Sequence, residues 1–195
     1  LERLRIDHVD YYLVHNVTSA SAWDRLSSLG FEDWVAEQKR SGRITNIGFS
    51  YHGPKADFPA LLDSFGWDFC QIQYNYMNED YQAGTAGLMA AAERGLPVIV
   101  MEPLLGGKLA GELPAGARRA LSDAGLSDDP VRLALRWVWN HPEATVVLSG
   151  MNTQDQLSQN IETAESATPG SLEAAEETAI KKAREHIAQN YRIPC

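Results

Sequence analysis

The run VDYYLVHN at residues 9–16 decides the fold: an apolar strand that ends on a histidine. The pattern recurs in ITNIGFSYH (44–52), FCQIQYNYMN (69–78), PVIVMEPLLGG (97–107) and ATVVLSGMN (144–152). Each run is rich in β-branched and aromatic residues and breaks into polar or glycine residues at its C-terminal end. A helix-length polar segment separates each run from the next. Strands alternating with helices imply a parallel sheet, because every strand must be re-entered from the same side. Polar groups gathered at the strand C-termini mark where such folds place their chemistry.

Working outward, strands are expected over 9–15, 44–50, 69–75, 98–102 and 145–149. Helices are expected near 31–41, 55–65, 83–94, 130–140, 153–164 and 171–189, with a Ser- and Asn-rich loop between the first strand and the first helix. Asn152 or Thr153 caps the helix at 153–164, and Pro130 opens its predecessor, where a missing N–H costs nothing. The stretch 105–128 is the longest irregular one, holding one short helical piece. The last helix carries Glu173, Glu176 and Glu177 early and Lys181, Lys182 and Arg184 late, an order that complements the helix dipole and reads as a solvated face.

Five strand–helix units fall short of the about eight that close a barrel. An open doubly wound sheet with a nucleotide site carries a glycine-rich turn after its first strand, and His15-Asn16-Val17-Thr18 holds no glycine. The expected fold class is therefore α/β: a partial (β/α)8 TIM barrel, its last five β/α units in residues 1–168, plus a C-terminal helix within 169–195. The chain opens at Leu1 and closes on RIPC after a long helix. It reads as a fragment.

Composition narrows the function. The chain has 195 residues, 44% of them hydrophobic, and a net charge of −9. A chain this acidic is a poor nucleic-acid surface. No apolar run nears the roughly 20 residues that span a bilayer, and no signal peptide is visible. Cys70 and Cys195 make no disulfide framework, so a reducing, cytoplasmic setting is expected.

The strand-end residues resemble the aldo-keto reductase superfamily over nearly the whole chain. VDYYLVHN, GRITNIGFSYHG, WDFCQIQYNYMNE and VIVMEPLLGGKLAG are similar to the subgroup that carries a ferredoxin-like iron–sulfur segment after the barrel. The resemblance implies an NAD(P)H-dependent oxidoreductase that reduces aldehydes or ketones, with a small-molecule carbonyl substrate and neither a nucleic acid nor a membrane as partner. It makes His15 the catalytic histidine, donating to the substrate carbonyl where negative charge develops during hydride transfer. Ser50 and Gln71 then hold the nicotinamide carboxamide, with Tyr51 standing where an Asn usually follows the serine. Met101 takes the place of an aromatic that stacks on the nicotinamide. Glu102, Pro103, Leu104, Gly106 and Gly107, with Lys108, resemble the loop that crosses the pyrophosphate. Gly150, Met151, Asn152, Gln156, Gln159 and Asn160 match the adenosine end. No Lys or Arg lies between Arg136 and Lys181, which disfavours NADP selectivity.

Cys195 matches the first thiolate of the iron–sulfur segment, of which about four are needed to hold a cluster. The family's catalytic Asp, acid Tyr and Lys precede the matching region, so residues 1–195 alone are expected to be inactive. Two rival readings use the same features: a non-catalytic, cofactor-binding regulatory barrel, and a phosphate-binding barrel enzyme of another class.

Overall fold

The structure, a computed structural model, describes residues 1–126 and 129–190. Five parallel strands, β1 (Val9–Val17), β2 (Ile44–Tyr51), β3 (Phe69–Gln73), β4 (Val98–Met101) and β5 (Ala144–Val147), follow one another in the order β1-β2-β3-β4-β5. The helices are α1 (Ala20–Ser28), α2 (Phe31–Arg40), α3 (Phe58–Asp63), α4 (Gly84–Glu93), α5 (Ala115–Ser122), α6 (Pro130–Trp139), α7 (Gln154–Ser166) and α8 (Ala174–Asn190). This is the α/β architecture of a partial barrel that the five repeats imply. The chain forms two compact units, Leu1–Gln73 with Asp80–Val100, and Tyr74–Glu79 with the described residues from Met101 onward.

In the first unit, β1 and β2 pair in parallel with Tyr11 opposite Asn46 and Leu13 opposite Gly48. Strand β2 pairs β3 with Gly48 opposite Phe69 and Ser50 opposite Gln71. Alternate residues therefore share a face. Phe49 and Tyr51 turn to the helical layer, where their rings meet Phe58 at 6.0 and 4.8 Å, and Phe49 meets Trp67 at 4.7 Å. Gly48 faces the other way, and a Cβ there would lie 2.6 Å from the Phe69 ring, so glycine makes room for that aromatic. Asp68 locks the strand ends together, accepting from Lys39 at 2.5 Å and from the Ile47 N–H at 2.8 Å.

The Ser-rich stretch expected as a loop forms α1 instead. Ser19 caps it by accepting from the Ala22 N–H at 3.1 Å, and its single buried residue, Trp23, packs on Trp67 and Phe65. Ser21, Ser27 and Ser28 give the stretch a loop-like composition, while Trp23, with Ala22 and Leu26 beside it, supplies an apolar side. The helix expected at 55–65 is shorter: Lys55–Asp57 is a 3-10 turn and only Phe58–Asp63 is α-helical.

In the second unit, Asp129 caps α6, its Oδ1 accepting from the Val131 and Arg132 N–H groups at 3.0 Å, with Pro130 at the first turn. Leu133, Ala134, Leu135, Trp137 and Val138 are the buried face of that helix. At its end, Asn140 holds the turn before α8, its carbonyl accepting from Gly170 and its side chain from Leu172, both at 2.9 Å. Helix α8 buries Ala179, Ile180, Ala183 and Ile187. Its charged side is only partly solvated: Arg184 pairs with Glu79, and both are partly buried.

Candidate functional site

The C-terminal ends of β1, β2 and β3 bring three of the expected residues together within the first unit. Alternation from Leu13 gives His15 the same side of the sheet as Ser50 and Gln71, the side away from α3. The β1–β2 register shifts between Val14 and Val17, and Asn16 there adopts a left-handed φ of 62°. Such a bulge re-aims the side chains around it and ends regular pairing. The freed Asn16 N–H donates to Ser50 Oγ at 2.8 Å. Ser50 is 1% exposed, so its hydroxyl is fixed by that bond and keeps its own O–H to donate. His15 is exposed and has no hydrogen-bond partner among the described residues. Gln71 is half-buried beside Ser50.

Tyr51, which stands where the family pattern has Asn, serves the core. It is buried against Phe58, its hydroxyl donates to the Pro54 carbonyl, and burial first and Asp57 second push the phenol up to about 12.

In the second unit, β4 ends at Met101 and the chain enters a tight turn. Glu102, Leu105, Gly106 and Gly107 have φ of 55°, 48°, 62° and 86°. Left-handed residues in close succession turn backbone N–H groups toward one side, the geometry of an anion-binding nest. Two of these donors, the N–H groups of Leu104 and Gly106, have no acceptor among the described residues. Others close the turn on itself: Leu105 N–H to the Glu102 carbonyl at 3.0 Å and Gly107 N–H to the Leu104 carbonyl at 2.9 Å. Buried Pro103, Leu105 and Leu109 anchor it. Glu102, Pro103, Leu104, Gly106 and Gly107 line a cavity of about 570 Å³ whose other wall is Leu148, Ser149 and Gly150.

The adenosine-end residues divide into two groups. Asn160 is buried, its Nδ2 donates to Ser149 Oγ at 2.9 Å, and its Oδ1 has no partner. The amides of Gln156 and Gln159 are already engaged. Gln156 Oε1 accepts from the Asn152 N–H at 2.9 Å, while Thr153 caps α7 by accepting from the Gln156 N–H at 3.2 Å. Gln159 Nε2 donates to Asp129 Oδ2 at 2.5 Å, tying α7 to the cap of α6.

Cys195, the expected thiolate ligand, lies outside the described residues. Among the described residues no cluster of three His, Cys, Asp or Glu side chains is placed to hold a metal ion, and no helix is long and apolar enough to cross a membrane. Cys70 is buried in β3, and that burial pushes its thiol up to about 12.

Residues 1–176 match the aldo/keto reductase family. The chain belongs to that family. Among its relatives it is 30% identical over 191 residues to the uncharacterised oxidoreductase YrpG of Bacillus subtilis, covering 85% of this chain and 56% of YrpG. It is 25% identical over 243 residues to Protein tas of Escherichia coli, covering the whole chain and 66% of that protein. The chain thus spans between half and two thirds of the length of these relatives. The aldo-keto reductase AKR11C1 of Bacillus halodurans has the same fold in its holo and apo forms, each with a TM-score of 0.71 at 24% identity. That likeness covers 93% of this chain and 63% of the holo-form chain.

Two features escape a reading of the sequence. Ser149 partners Asn160 and lines the cavity, and its signal is only its place at the end of a strand. Asn75 is the other. It follows β3 by two residues, is 0% exposed, and its Nδ2 donates to the Glu102 carbonyl at 3.0 Å. The strand expected over 69–75 ends at Gln73, so Asn75 falls in the turn that follows, and nothing local marks the distant residue it grips.

Proposed function

We propose that the protein is an NAD(P)H-dependent oxidoreductase that reduces an aldehyde or ketone. The observation that carries this reading is the strand-end arrangement of His15, Asn16, Ser50 and Gln71. A rigid sheet presents an unpartnered imidazole beside a buried serine whose hydroxyl is oriented by a backbone N–H. His15 donates a hydrogen bond to the substrate carbonyl oxygen, where charge builds as the carbon is reduced. Ser50 and Gln71 orient a carboxamide, and Met101 offers a polarizable face at the end of β4.

Two features of the second unit suit a dinucleotide. The free N–H groups of Leu104 and Gly106 fit a pyrophosphate, with Lys108 adding charge. The unpartnered Oδ1 of Asn160 fits a donor such as the adenine amino group. Glu102, Pro103, Leu104, Gly106, Gly107, Gly150 and Asn152 complete that site, and Gln156 and Gln159 support it by fixing the ends of α7 and α6. The dinucleotide, when bound, supplies the hydride. The proton that completes the alcohol comes from an acid residue outside residues 1–195, and the catalytic barrel extends through residue 168. Cys195 would be the first thiolate of an iron–sulfur segment, of which about four are needed to hold a cluster.

The test is a titration of the full-length protein with NADH and NADPH, followed by carbonyl-dependent oxidation of the bound nucleotide. Saturable binding with turnover of an aldehyde or ketone supports the reading. A protein that binds neither nucleotide overturns it.

A further inference from the structure

We propose that Asn75 is a positioning residue that sets the shape of the Glu102–Gly107 turn for a dinucleotide pyrophosphate, an inference that rests on the cofactor site proposed above. Asn75 is buried and makes three side-chain hydrogen bonds. Its Oδ1 accepts from the Met77 and Asn78 N–H groups, both at 3.1 Å, and its Nδ2 donates to the Glu102 carbonyl at 3.0 Å. The chemistry fixes which atom is which. A reversed amide would set its NH2 against two N–H groups and its oxygen against a carbonyl.

The Glu102 carbonyl is held twice, by Asn75 and by the Leu105 N–H. Both of its lone-pair directions are used, at a residue whose left-handed φ is unfavourable for a side chain of this kind. The turn downstream inherits that orientation, and with it the direction of the free Leu104 and Gly106 donors. The loop that carries Asn75 is braced at its far end, where Glu79 accepts from Arg184 of α8. The same loop leaves Tyr76 Oη and Asn78 Nδ2 buried without partners. Inside this loop Asn75 has every side-chain polar atom engaged: two of its hydrogen bonds hold the loop's own backbone and the third reaches the turn. Through Glu102, Asn75 acts on nucleotide binding without touching the nucleotide.

The experiment compares full-length wild type with Asn75→Ser. Serine keeps a short acceptor for the Met77 and Asn78 N–H groups and cannot reach the Glu102 carbonyl. Tryptophan fluorescence gives the NADH dissociation constant, and saturation-transfer NMR gives that of adenosine, which lacks the pyrophosphate. The expected result is NADH binding weakened about tenfold with adenosine unchanged within twofold. NADH affinity within twofold of wild type overturns the proposal. Equal weakening of NADH and adenosine overturns it too, since that marks a general structural loss. Wild type that binds neither NADH nor NADPH overturns the cofactor reading and this inference together.

Should Asn75→Ser fail to fold, amide exchange on the wild type decides. Met77, Asn78 and Leu105 should exchange slowly without nucleotide, while Leu104 and Gly106 slow only when NADH is added. Fast exchange at Met77 and Asn78 in the free protein shows that the clamp is not formed and overturns the proposal.

Discussion

At the ends of β1, β2 and β3 the groups with chemistry are side chains, and their direction follows from strand alternation. In the Glu102–Gly107 turn they are backbone N–H groups, and their direction follows from left-handed φ values at four of six residues. The two regions therefore fail differently. Truncating a side chain at a strand end removes one function and leaves the sheet intact. Changing the backbone preference of one turn residue re-aims several donors at once and strains the chain as well.

His15→Ala has the largest expected effect. His15 is exposed and bonds to no described residue, so its loss should not disturb the fold. Removing an oxyanion-type donor lowers kcat/KM for carbonyl reduction by roughly two to three orders of magnitude. The NADH dissociation constant and the unfolding midpoint should stay within error of wild type. Steady-state kinetics of the full-length variant checks this, and wild-type turnover would make His15 a bystander.

Gly107→Ala probes the second region, with a smaller expected effect of a different kind. Gly107 has φ of 86° and nothing within 4 Å of where a Cβ would sit. Sterics with neighbours are thus absent, and only the backbone conformation opposes the methyl group. That opposition costs about 1–2 kcal/mol and lowers both the unfolding midpoint and the affinity for NADH. Gly107→Asn should recover most of the loss, because Asn tolerates the left-handed region. Denaturant unfolding and nucleotide titration of the two variants read the effect. Equal stability of Gly107→Ala and wild type would show that the turn relaxes freely.

How legible each region is in the sequence follows from the same contrast. His15, Ser50 and Gln71 are legible because a period of two assigns a face to every residue once a strand is recognised. The bulge at Asn16 is only half legible: Asn tolerates the left-handed φ found there, but the register shift itself depends on the partner strand. Gly106 and Gly107 advertise a left-handed turn by residue type, whereas Glu102 and Leu105 adopt the same conformation with side chains that give no such sign. Asn75 and Asp129 reach their partners across 27 and 30 residues, so no local pattern announces either contact. Gln159 is the instructive case. Its residue type suits adenine recognition, and in the fold its amide is engaged by a helix cap. Helix α1 hides for another reason: Ser21, Ser27 and Ser28 read as loop composition, although Ala22, Trp23 and Leu26 stand at helical spacing.

The smallest expected effect concerns the choice between NADH and NADPH. The two differ by one phosphate on the adenosine ribose, and selective binding of it normally takes an Arg or Lys within hydrogen-bonding reach. The segment from Gly150 to Asn160 contains neither and includes Asp155. Arg132, on the neighbouring helix α6, is committed to Glu162 at 3.0 Å. Lys108 belongs to the turn proposed for the pyrophosphate and is equally available to either nucleotide. Residues 150–160 therefore offer the extra phosphate no cation and one carboxylate, Asp155. The full-length protein should bind NADH at least as tightly as NADPH, with dissociation constants that differ by less than tenfold, or about 1.4 kcal/mol. A second signature accompanies the first. A phosphate held by a salt-screened ion pair weakens as ionic strength rises, so the NADPH-to-NADH ratio should stay flat between low and moderate salt. A tenfold preference for NADPH that fades with salt would reveal a cation contributed from outside residues 150–160, and would move the specificity determinant away from α7.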